Sequence, residues 1–237
     1  MILQTQNLVC GFNKSSPVLE GIDFSVAKAE IIFILGPNGI GKSCLVQTLS
    51  GVISPIAGEA PHLELSAMER AKLASYCAQE VIESSDLLVE NYLSLITPTH
   101  KSLFDLVVKE LEIKPFLSKS LIKLSGGERQ RVRLGACLLQ DSKVYLLDEP
   151  TNSLDPKPIQ NLSRLLLELK ELSKSSVIVS HDLGFAINTG TRFIGIDQKR
   201  ILFDCDQSTL REKKLLDQLY SVNFNWAQVS DSRWALC

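Results

Sequence analysis

The sequence lacks an excess of charge of either sign. Lysine and arginine together number 25, aspartate and glutamate number 27, and the net charge of the 237-residue chain is −2. A chain with so weak a net field is not drawn to nucleic acid or to an anionic membrane surface by its overall charge. We therefore expect no nucleic-acid partner and expect any partner to be recognised by local shape.

Long apolar runs are also missing. Runs such as residues 31–35 and 177–179 are short, whereas a helix that crosses a bilayer needs about 20 apolar residues. The N-terminus, Met1-Ile2-Leu3-Gln4, has neither the basic start nor the cleavage site of a signal peptide. These absences predict a cytoplasmic protein.

The sequence has no Cys-x-x-Cys pair. Its six cysteines are isolated from one another along the chain, so neither a zinc site nor a disulfide framework is indicated. We expect free thiols in a reducing compartment.

Short apolar runs alternate with helical patterns along most of the chain. The runs at residues 30–35, 144–147 and 176–180 are each followed by a helical pattern, which begins near Gly41 in the first case and near Asp155 in the second. Continuous apolar strands separated by helices are typical of a parallel sheet covered on both faces. The sequence therefore predicts an α/β fold in which a mixed sheet has helices on both faces.

Two regions depart from this alternation. Residues 2–26 show strand and turn patterns without a helix, which predicts an antiparallel β subdomain. Residues from about 80 to 140 are mostly helical in pattern, which predicts an inserted helical subdomain. We expect one domain over residues 1–237, with the core and the antiparallel β subdomain built from 1–79 and 141–237.

A glycine-rich segment joins the first buried strand to the next helix, as in a phosphate-binding loop. The residues predicted to bind nucleotide here are Gly36, Pro37, Asn38, Gly39, Ile40, Gly41, Lys42, Ser43 and Cys44. Glycine lets the backbone wrap closely, so that successive N–H groups and the positive end of the helix dipole point at one anion. Lys42 is expected to reach the β- and γ-phosphates of ATP, and the Ser43 hydroxyl to bind Mg²⁺. The alternative is an ordinary glycine-rich turn, which the strand and helix on either side disfavour.

A second apolar strand, residues 144–149, ends in two carboxylates. Such an ending is common on its own, but beside a phosphate-binding loop it becomes specific. Asp148 can hold Mg²⁺ directly or through water, and Glu149 can orient and deprotonate the attacking water. The two roles are divided because adjacent strand residues point in opposite directions.

Residues 124–130, Leu-Ser-Gly-Gly-Glu-Arg-Gln, predict a second anion site. Ser125 and Glu128 have the spacing of a capping box, and a capped helix start with Gly126 and Gly127 beside it can bind an anion. The chain thus carries two phosphate sites but only one set of Mg²⁺ ligands. The simplest interpretation is that the second site closes over the nucleotide of another copy of the chain.

With these motifs in this order, the chain resembles the ATP-binding-cassette (ABC) ATPases over nearly its whole length. The resemblance implies the P-loop NTPase fold, with its mixed sheet, and ATP hydrolysis. It also assigns roles to four more residues. Gln79 is similar to the glutamine that touches Mg²⁺ or water and relays the nucleotide state, and His181 to the histidine that contacts the γ-phosphate. Asp155 ends a segment similar to the loop that crosses the dimer interface. Phe12 lies where an aromatic ring stacks on adenine.

Each of these single residues also has a structural interpretation. Outside this context, His181 would be a hydrogen-bonded histidine after a strand, Gln79 a surface amide and Asp155 a helix N-cap. Phe12 could equally be a core residue. The order of the motifs favours the functional interpretation of the first three, and for Phe12 both remain open.

The resemblance further implies partners: a second copy in an ATP-dependent head-to-tail homodimer, separate membrane permease subunits and a substrate-binding protein. The chain would then lie on the inner face of the cell membrane. Residues 215–223 resemble the closing segment of importers for iron-siderophore, haem and cobalamin, with a final strand expected over 226–236. The alternatives are a zinc or manganese importer, an exporter, a soluble ATPase of iron-sulfur assembly, and a module that no longer hydrolyses ATP, against which Glu149 and His181 argue.

The residues after Gln79 are candidates for contact with the permease. Val81, Ile82 and residues 87–89 are more apolar than a free surface loop needs. With the helical segment 90–96, they are expected to line a groove for a short helix of a membrane subunit. The alternative is that they pack the helical subdomain.

Overall fold

The computed structural model describes residues 1–78, 86–96, 101–230 and 233–236. The strands are β1 (Leu3–Cys10), β2 (Leu19–Val26), β3 (Ile31–Leu35), β4 (Ala57–Glu59), β5 (Ala74–Cys77), β6 (Val144–Asp148), β7 (Ser175–Val179), β8 (Arg192–Asp197), β9 (Arg200–Cys205), β10 (Trp226–Ser230) and β11 (Arg233–Leu236). The helices are α1 (Lys42–Ser50), α2 (Ala67–Leu73), α3 (Val89–Ser94), α4 (Lys101–Glu110), α5 (Gly126–Leu138), α6 (Pro156–Glu171), α7 (Leu183–Thr189), α8 (Gln207–Glu212) and α9 (Leu215–Tyr220).

The central sheet has the strand order β5-β6-β7-β3-β8-β9. Its first five strands are parallel, and β9 pairs antiparallel with β8. The predicted mixed sheet is therefore confirmed. Because parallel strands need crossover connections, the chain passes from β3 to β6 to β7 through helices that cover the sheet.

Both faces of the sheet are buried, as the continuous apolar strands predicted. Along β3, Phe33 faces a core that includes residues of α5, α6 and α7, whereas its neighbours Ile32 and Ile34 face a core shared with α1, β1 and β2. The Phe33 ring meets the edge of Phe185 at a centroid distance of 5.3 Å and stacks on Phe193 at 6.3 Å. This alternation is what a period of two residues per strand requires.

The predicted antiparallel β subdomain is present and larger than expected. β1 pairs with β2 on one side and with the three-residue β4 on the other. Sequence patterning did not indicate β4, because all three of its residues are exposed and show no alternation.

Helices α3, α4 and α5 lie in the chain between β5 and β6, where the helical subdomain was predicted. Val89 and Leu93 of α3 are fully buried in the core, so they do not line an open groove. Val81 and Ile82 lie outside the described residues, and the groove itself stays a prediction.

The C-terminal segment differs from the single final strand expected over 226–236. β10 and β11 pair antiparallel as a hairpin, with Trp226 opposite Leu236 and Ala227 opposite Ala235. The Ser-Asp-Ser sequence at 230–232 consists of residues that favour turns, and it interrupts the run of apolar residues. Within the described part of the chain, no helix has the length and apolar character needed to span a membrane.

The packing of α6 gives a test of the fold. Leu165 is fully buried, whereas Leu167 on the same helix is 40% exposed. We expect Leu165→Ala to lower the free energy of unfolding by about 2–5 kcal/mol, because it leaves a cavity. Leu167→Ala should cost less than about 1 kcal/mol, because little apolar surface is lost and alanine favours helix. Urea denaturation measures both, and equal losses would contradict the described burial of α6.

Candidate functional site

The glycine-rich loop lies between the end of β3 and the start of α1. Gly41 is the N-cap of α1 and has φ +112°. A Cβ atom added there would lie 2.5 Å from Cγ1 of Val18, so both the backbone conformation and the space require glycine. The loop is thus fixed against the end of the antiparallel sheet.

The first turn of α1 presents free backbone N–H groups. Leu45 is the first residue whose N–H bonds back to the loop, to the Gly41 carbonyl at 2.9 Å, so the N–H groups of Lys42, Ser43 and Cys44 have no intrahelical acceptor. The Cys44 side chain is buried, which means that any contact of Cys44 with a ligand would come from its backbone. This helix start has the N–H groups and the dipole orientation that bind a phosphate.

Lys42 folds back over the loop that precedes it. Its Nζ donates hydrogen bonds to the carbonyl oxygens of Gly36 at 2.7 Å and Pro37 at 2.9 Å. Burial lowers the pKa of Lys42, and the nearby carboxyl groups of Glu149 and Asp148 oppose this shift. The ammonium group is therefore held at the loop by acceptors that phosphate oxygens can replace.

Asp148 and Ser43 form the candidate Mg²⁺ site. The Ser43 hydroxyl donates to Asp148 Oδ1 at 2.9 Å, and the Tyr76 hydroxyl donates to Oδ2 at 3.4 Å. Burial raises the pKa of Asp148, although the hydrogen bonds from Ser43 and Tyr76 and the charge of Lys42 lower it. A hydroxyl and a carboxylate are the oxygen ligands that Mg²⁺ prefers, so the residues fit this ion.

Glu149 sits on a sharp turn directly after β6. Its φ is +50°, and its N–H donates to the Val179 carbonyl at 2.9 Å. Oε2 accepts the backbone N–H of His181 at 3.3 Å. His181 Nε2 lies 3.0 Å from Oε1, but Oε1 accepts no well-aligned hydrogen bond from the described residues. The turn thus directs the Glu149 carboxyl toward His181 and away from the strand.

Burial sets the protonation of this pair. It raises the pKa of Glu149 from 4.5 to about 7, despite the His181 backbone N–H and the Lys42 charge, which lower it. Burial and the charge of Lys42 both lower the pKa of His181. Near neutral pH the site therefore holds a carboxyl poised to exchange a proton beside a neutral imidazole.

The second predicted anion site lies at the start of α5. Ser125 Oγ accepts the Glu128 N–H at 3.3 Å, and Glu128 Oε2 accepts the Ser125 N–H at 2.9 Å, so the predicted capping box is confirmed. Ser125 and Gly126 are exposed. In the described part of the chain, no hydrogen bond or ion pair joins residues 125–127 to the loop 36–43.

Two contacts tie the start of α5 to the turn after Glu149. Gln130 Nε2 donates to the Pro150 carbonyl at 3.1 Å, and a Cβ added at Gly127 would lie 2.7 Å from the Ser153 carbonyl. Sequence reasoning missed Tyr76, and it included Gln130 in the motif 124–130 without assigning it a contact. The partner of Gln130 lies 20 positions away and that of Tyr76 lies 72 positions away, so no local pattern predicts either contact.

Two of the remaining predicted residues, Phe12 and Asp155, are exposed. Phe12 is 73% exposed, so it is not the core residue that was its alternative interpretation. Asp155 is exposed and precedes α6, but its side chain makes no capping hydrogen bond. Gln79 lies outside the described residues, and its role stays a prediction.

Comparison with known proteins gives the family. The family model described as "ABC transporter" matches residues 19–152. The vitamin B12 import ATP-binding protein of Yersinia pseudotuberculosis is 30% identical, and the match covers 99% of this chain and 97% of that protein. An uncharacterized ABC transporter ATP-binding protein of Methanocaldococcus jannaschii is 37% identical over 72% of this chain, which spans only 28% of that protein's length.

The fold agrees with these matches. A solved structure of the ATP-binding subunit of an ABC transporter superposes with a TM-score of 0.80 at 23% identity, covering 93% of this chain and 98% of that one. At this identity the superposition establishes the fold alone. Together with the family model and the full-length relative, it shows that the chain belongs to the ABC transporter family, as one of its ATP-binding, ATP-hydrolysing domains.

Proposed function

We propose that the chain hydrolyses Mg-ATP between two head-to-tail copies and that this closure drives a membrane permease. The observation that carries the proposal is the separation of two anion sites within one chain. Lys42, Ser43, Asp148, Glu149 and His181 form one cluster, whereas no hydrogen bond or ion pair among the described residues joins the capped start of α5 to the phosphate loop.

The loop binds the triphosphate in this proposal. Phosphate oxygens accept hydrogen bonds from the N–H groups at the start of α1. Other phosphate oxygens replace the carbonyl oxygens of Gly36 and Pro37 as acceptors for Lys42 Nζ. Because Lys42 is buried, its charge acts in a low-dielectric setting and attracts phosphate more strongly than an exposed lysine would. The exposed Phe12 ring offers a surface on which adenine can stack.

Ser43 and Asp148 would hold Mg²⁺ in this proposal. Bound there, the ion would polarise the phosphate oxygens and neutralise part of their charge. Tyr76 holds the second oxygen of Asp148, which leaves the first oxygen to Ser43 and the ion. Gln79 is proposed as a further ligand, directly or through water.

Glu149 serves as the general base. Its deprotonated carboxylate accepts a proton from the attacking water, and a pKa of about 7 matches this task near neutral pH. His181, held neutral, can donate Nε2–H to a γ-phosphate oxygen while its backbone N–H fixes Glu149. The base and the phosphate ligand are thus oriented by the same residue.

The second copy completes the site. Ser125, Gly126 and Gly127 present a helix start to the γ-phosphate of the partner's nucleotide, and Asp155 lies on the loop proposed to cross the interface. Ser125, Gly126 and Asp155 are exposed in the single chain, which suits such a role.

The proposed partners are permease subunits at the inner face of the membrane and a substrate-binding protein. A cobalamin-like or iron-chelate cargo is favoured because the match to the vitamin B12 import protein runs over 99% of this chain, including the C-terminal segment that resembles this branch. The chain itself offers no cargo site in this proposal, so cargo is selected by the other subunits.

Replacing the base gives the first test. Glu149→Gln should still bind ATP but lower kcat by about 10²–10⁴-fold. In the parent, kcat/KM reports the free enzyme and should fall about tenfold per pH unit below about 7, because protonation at the raised pKa removes the base. This acidic limb should be absent from the residual activity of Glu149→Gln. Glu171→Gln, at an exposed carboxylate, is the control and should have the activity and pH dependence of the parent. Parent-like turnover by Glu149→Gln would exclude Glu149 as the base.

Dimerisation gives the second test. In light scattering, the Glu149→Gln protein should be a dimer with Mg-ATP and a monomer without it. Adding Ser125→Arg should abolish this dimer while retaining ATP binding, because a bulky cation blocks the start of α5. Ser66→Arg is a matched control, since Ser66 forms the same kind of capping box at α2, and it should leave the dimer intact. A monomer under all conditions would contradict closure between two copies of the isolated chain.

Transport gives the third test. If permease and binding-protein genes neighbour its own, the chain co-expressed with their products should copurify with the permease and support ATP-dependent uptake into vesicles. Cobalamin and an iron chelate are compared as cargo with free zinc. Lys42→Ala should abolish uptake, whereas Lys28→Ala, at an exposed lysine, should not. Uptake of zinc alone would contradict the proposed cobalamin-like or iron-chelate cargo. Binding to a soluble assembly protein, with no binding to a permease, would contradict the proposed role in import.

A further inference from the structure

Tyr220, at the end of α9, contacts the phosphate loop from the far end of the chain. The backbone N–H of Gly36 donates a hydrogen bond to the Tyr220 hydroxyl at 3.1 Å, across 184 positions of sequence. We propose that Tyr220 is a positioning residue that holds Gly36, and through it Lys42, in the conformation that receives ATP. The inference rests on the proposed role of this loop in binding the phosphates.

Gly36 is tightly confined where the chain enters the loop. Its φ is +152°, and a Cβ added there would lie 2.5 Å from the Ile196 carbonyl oxygen of β8. The residue is buried, so its N–H needs an acceptor within the protein. Tyr220 supplies that acceptor.

The same residue connects Tyr220 to the lysine. The Gly36 carbonyl accepts the hydrogen bond from Lys42 Nζ at 2.7 Å, while its N–H is held by Tyr220. A shift of Gly36 would therefore move the first acceptor of the lysine and the start of the loop together. Tyr220 fixes the loop without itself occupying the phosphate position.

Packing fixes the Tyr220 ring. Leu216 and Leu219 of α9 are buried in the core, and the Tyr220 ring meets the edge of Phe224 at 6.1 Å with an interplanar angle of 78°. The Phe224 N–H donates to Asp217 Oδ1 at 3.2 Å, which closes the turn after α9. The hydroxyl is thus placed by the core and not by the loop it holds.

The Tyr220 hydroxyl stays neutral in this position. Burial raises the pKa of Tyr220, and the nearby Glu149 carboxylate raises it further, although the Gly36 N–H opposes both. A neutral phenol accepts the Gly36 N–H and retains its own proton, so it adds no negative charge beside the phosphates.

The test compares two Tyr→Phe variants. Tyr220→Phe should raise KM for ATP about 5- to 10-fold, the effect of losing one net hydrogen bond, and leave kcat within about twofold. The reason is that the loop of the Tyr220→Phe variant is less well ordered before ATP binds but re-forms around the bound phosphates. Tyr145→Phe is the matched control: Tyr145 is fully buried, and its hydroxyl has no partner among the described residues. Its KM should equal that of the parent.

A second measurement does not depend on hydrolysis. In the nucleotide-free state, the Gly36 amide hydrogen should exchange with solvent faster in Tyr220→Phe than in the parent. In Tyr145→Phe it should exchange at the same rate as in the parent. A purely structural tyrosine would lower the melting temperature without changing KM or the relative exchange of Gly36. That result would overturn the inference.

The outcomes separate this inference from the proposed function. Parent activity with an unchanged KM in Tyr220→Phe refutes the role of Tyr220 alone, whereas a parent that does not hydrolyse ATP refutes the proposed function. Should Tyr220→Phe fail to fold, Phe224→Leu keeps the hydroxyl but loosens its ring. It should raise KM by a smaller factor, above about twofold, and an unchanged KM there also overturns the inference.

Discussion

The candidate site depends on the parallel pairing of β7 with β3 on one side and β6 on the other. Val179 near the end of β7 is in register with both Ile34 and Asp148, and its carbonyl accepts the Glu149 N–H. The phosphate loop, the two carboxylates and His181 therefore emerge at one edge of the sheet, although they are far apart in sequence. The carboxyl edge of a parallel sheet is where such a crevice forms. Each motif gains its chemical meaning from this register, since a slip of one residue would turn Asp148 away from Ser43.

The same packing buries three ionisable groups, Lys42, Asp148 and Glu149. Burial lowers the pKa of Lys42 and raises the pKa of Asp148 and Glu149. In each case it favours the neutral form over the charged form on which binding and catalysis depend. For Glu149, the folded-state pKa of about 7 exceeds the ordinary value of 4.5. The contribution of this group to stability is therefore fully present below about pH 4.5 and is lost as the pH rises through 7. Near neutral pH the fold thus holds Glu149 at some cost in stability, and the same desolvation makes the carboxylate a stronger base.

Much of this could be predicted from sequence because it is encoded locally. The glycine spacing, the apolar strand ending in Asp148 and Glu149, and the Ser125–Glu128 capping box are each contained within a few residues. The contacts of Tyr76 and Gln130 could not be predicted, because their partners are reached only through strand pairing and helix packing. The single strand expected at the C-terminus was wrong for a similar reason: apolar alternation indicates a strand but does not say whether it folds back on itself. The role of Gln79 rests on resemblance, and no contact described here bears on it.

The contacts at the start of α5 connect the two halves of the proposed mechanism within one chain. Gln130 bonds to Pro150, the residue directly after Glu149, and Gly127 packs against the Ser153 carbonyl. The helix start that is proposed to face the partner's nucleotide is therefore joined to the turn that carries the chain's own general base. Because both contacts are to backbone carbonyls, a displacement of α5 on closure would be transmitted to the backbone of that turn and not only to its side chains. In a head-to-tail pair, each copy would then sense the partner's nucleotide at the same turn that positions its own base.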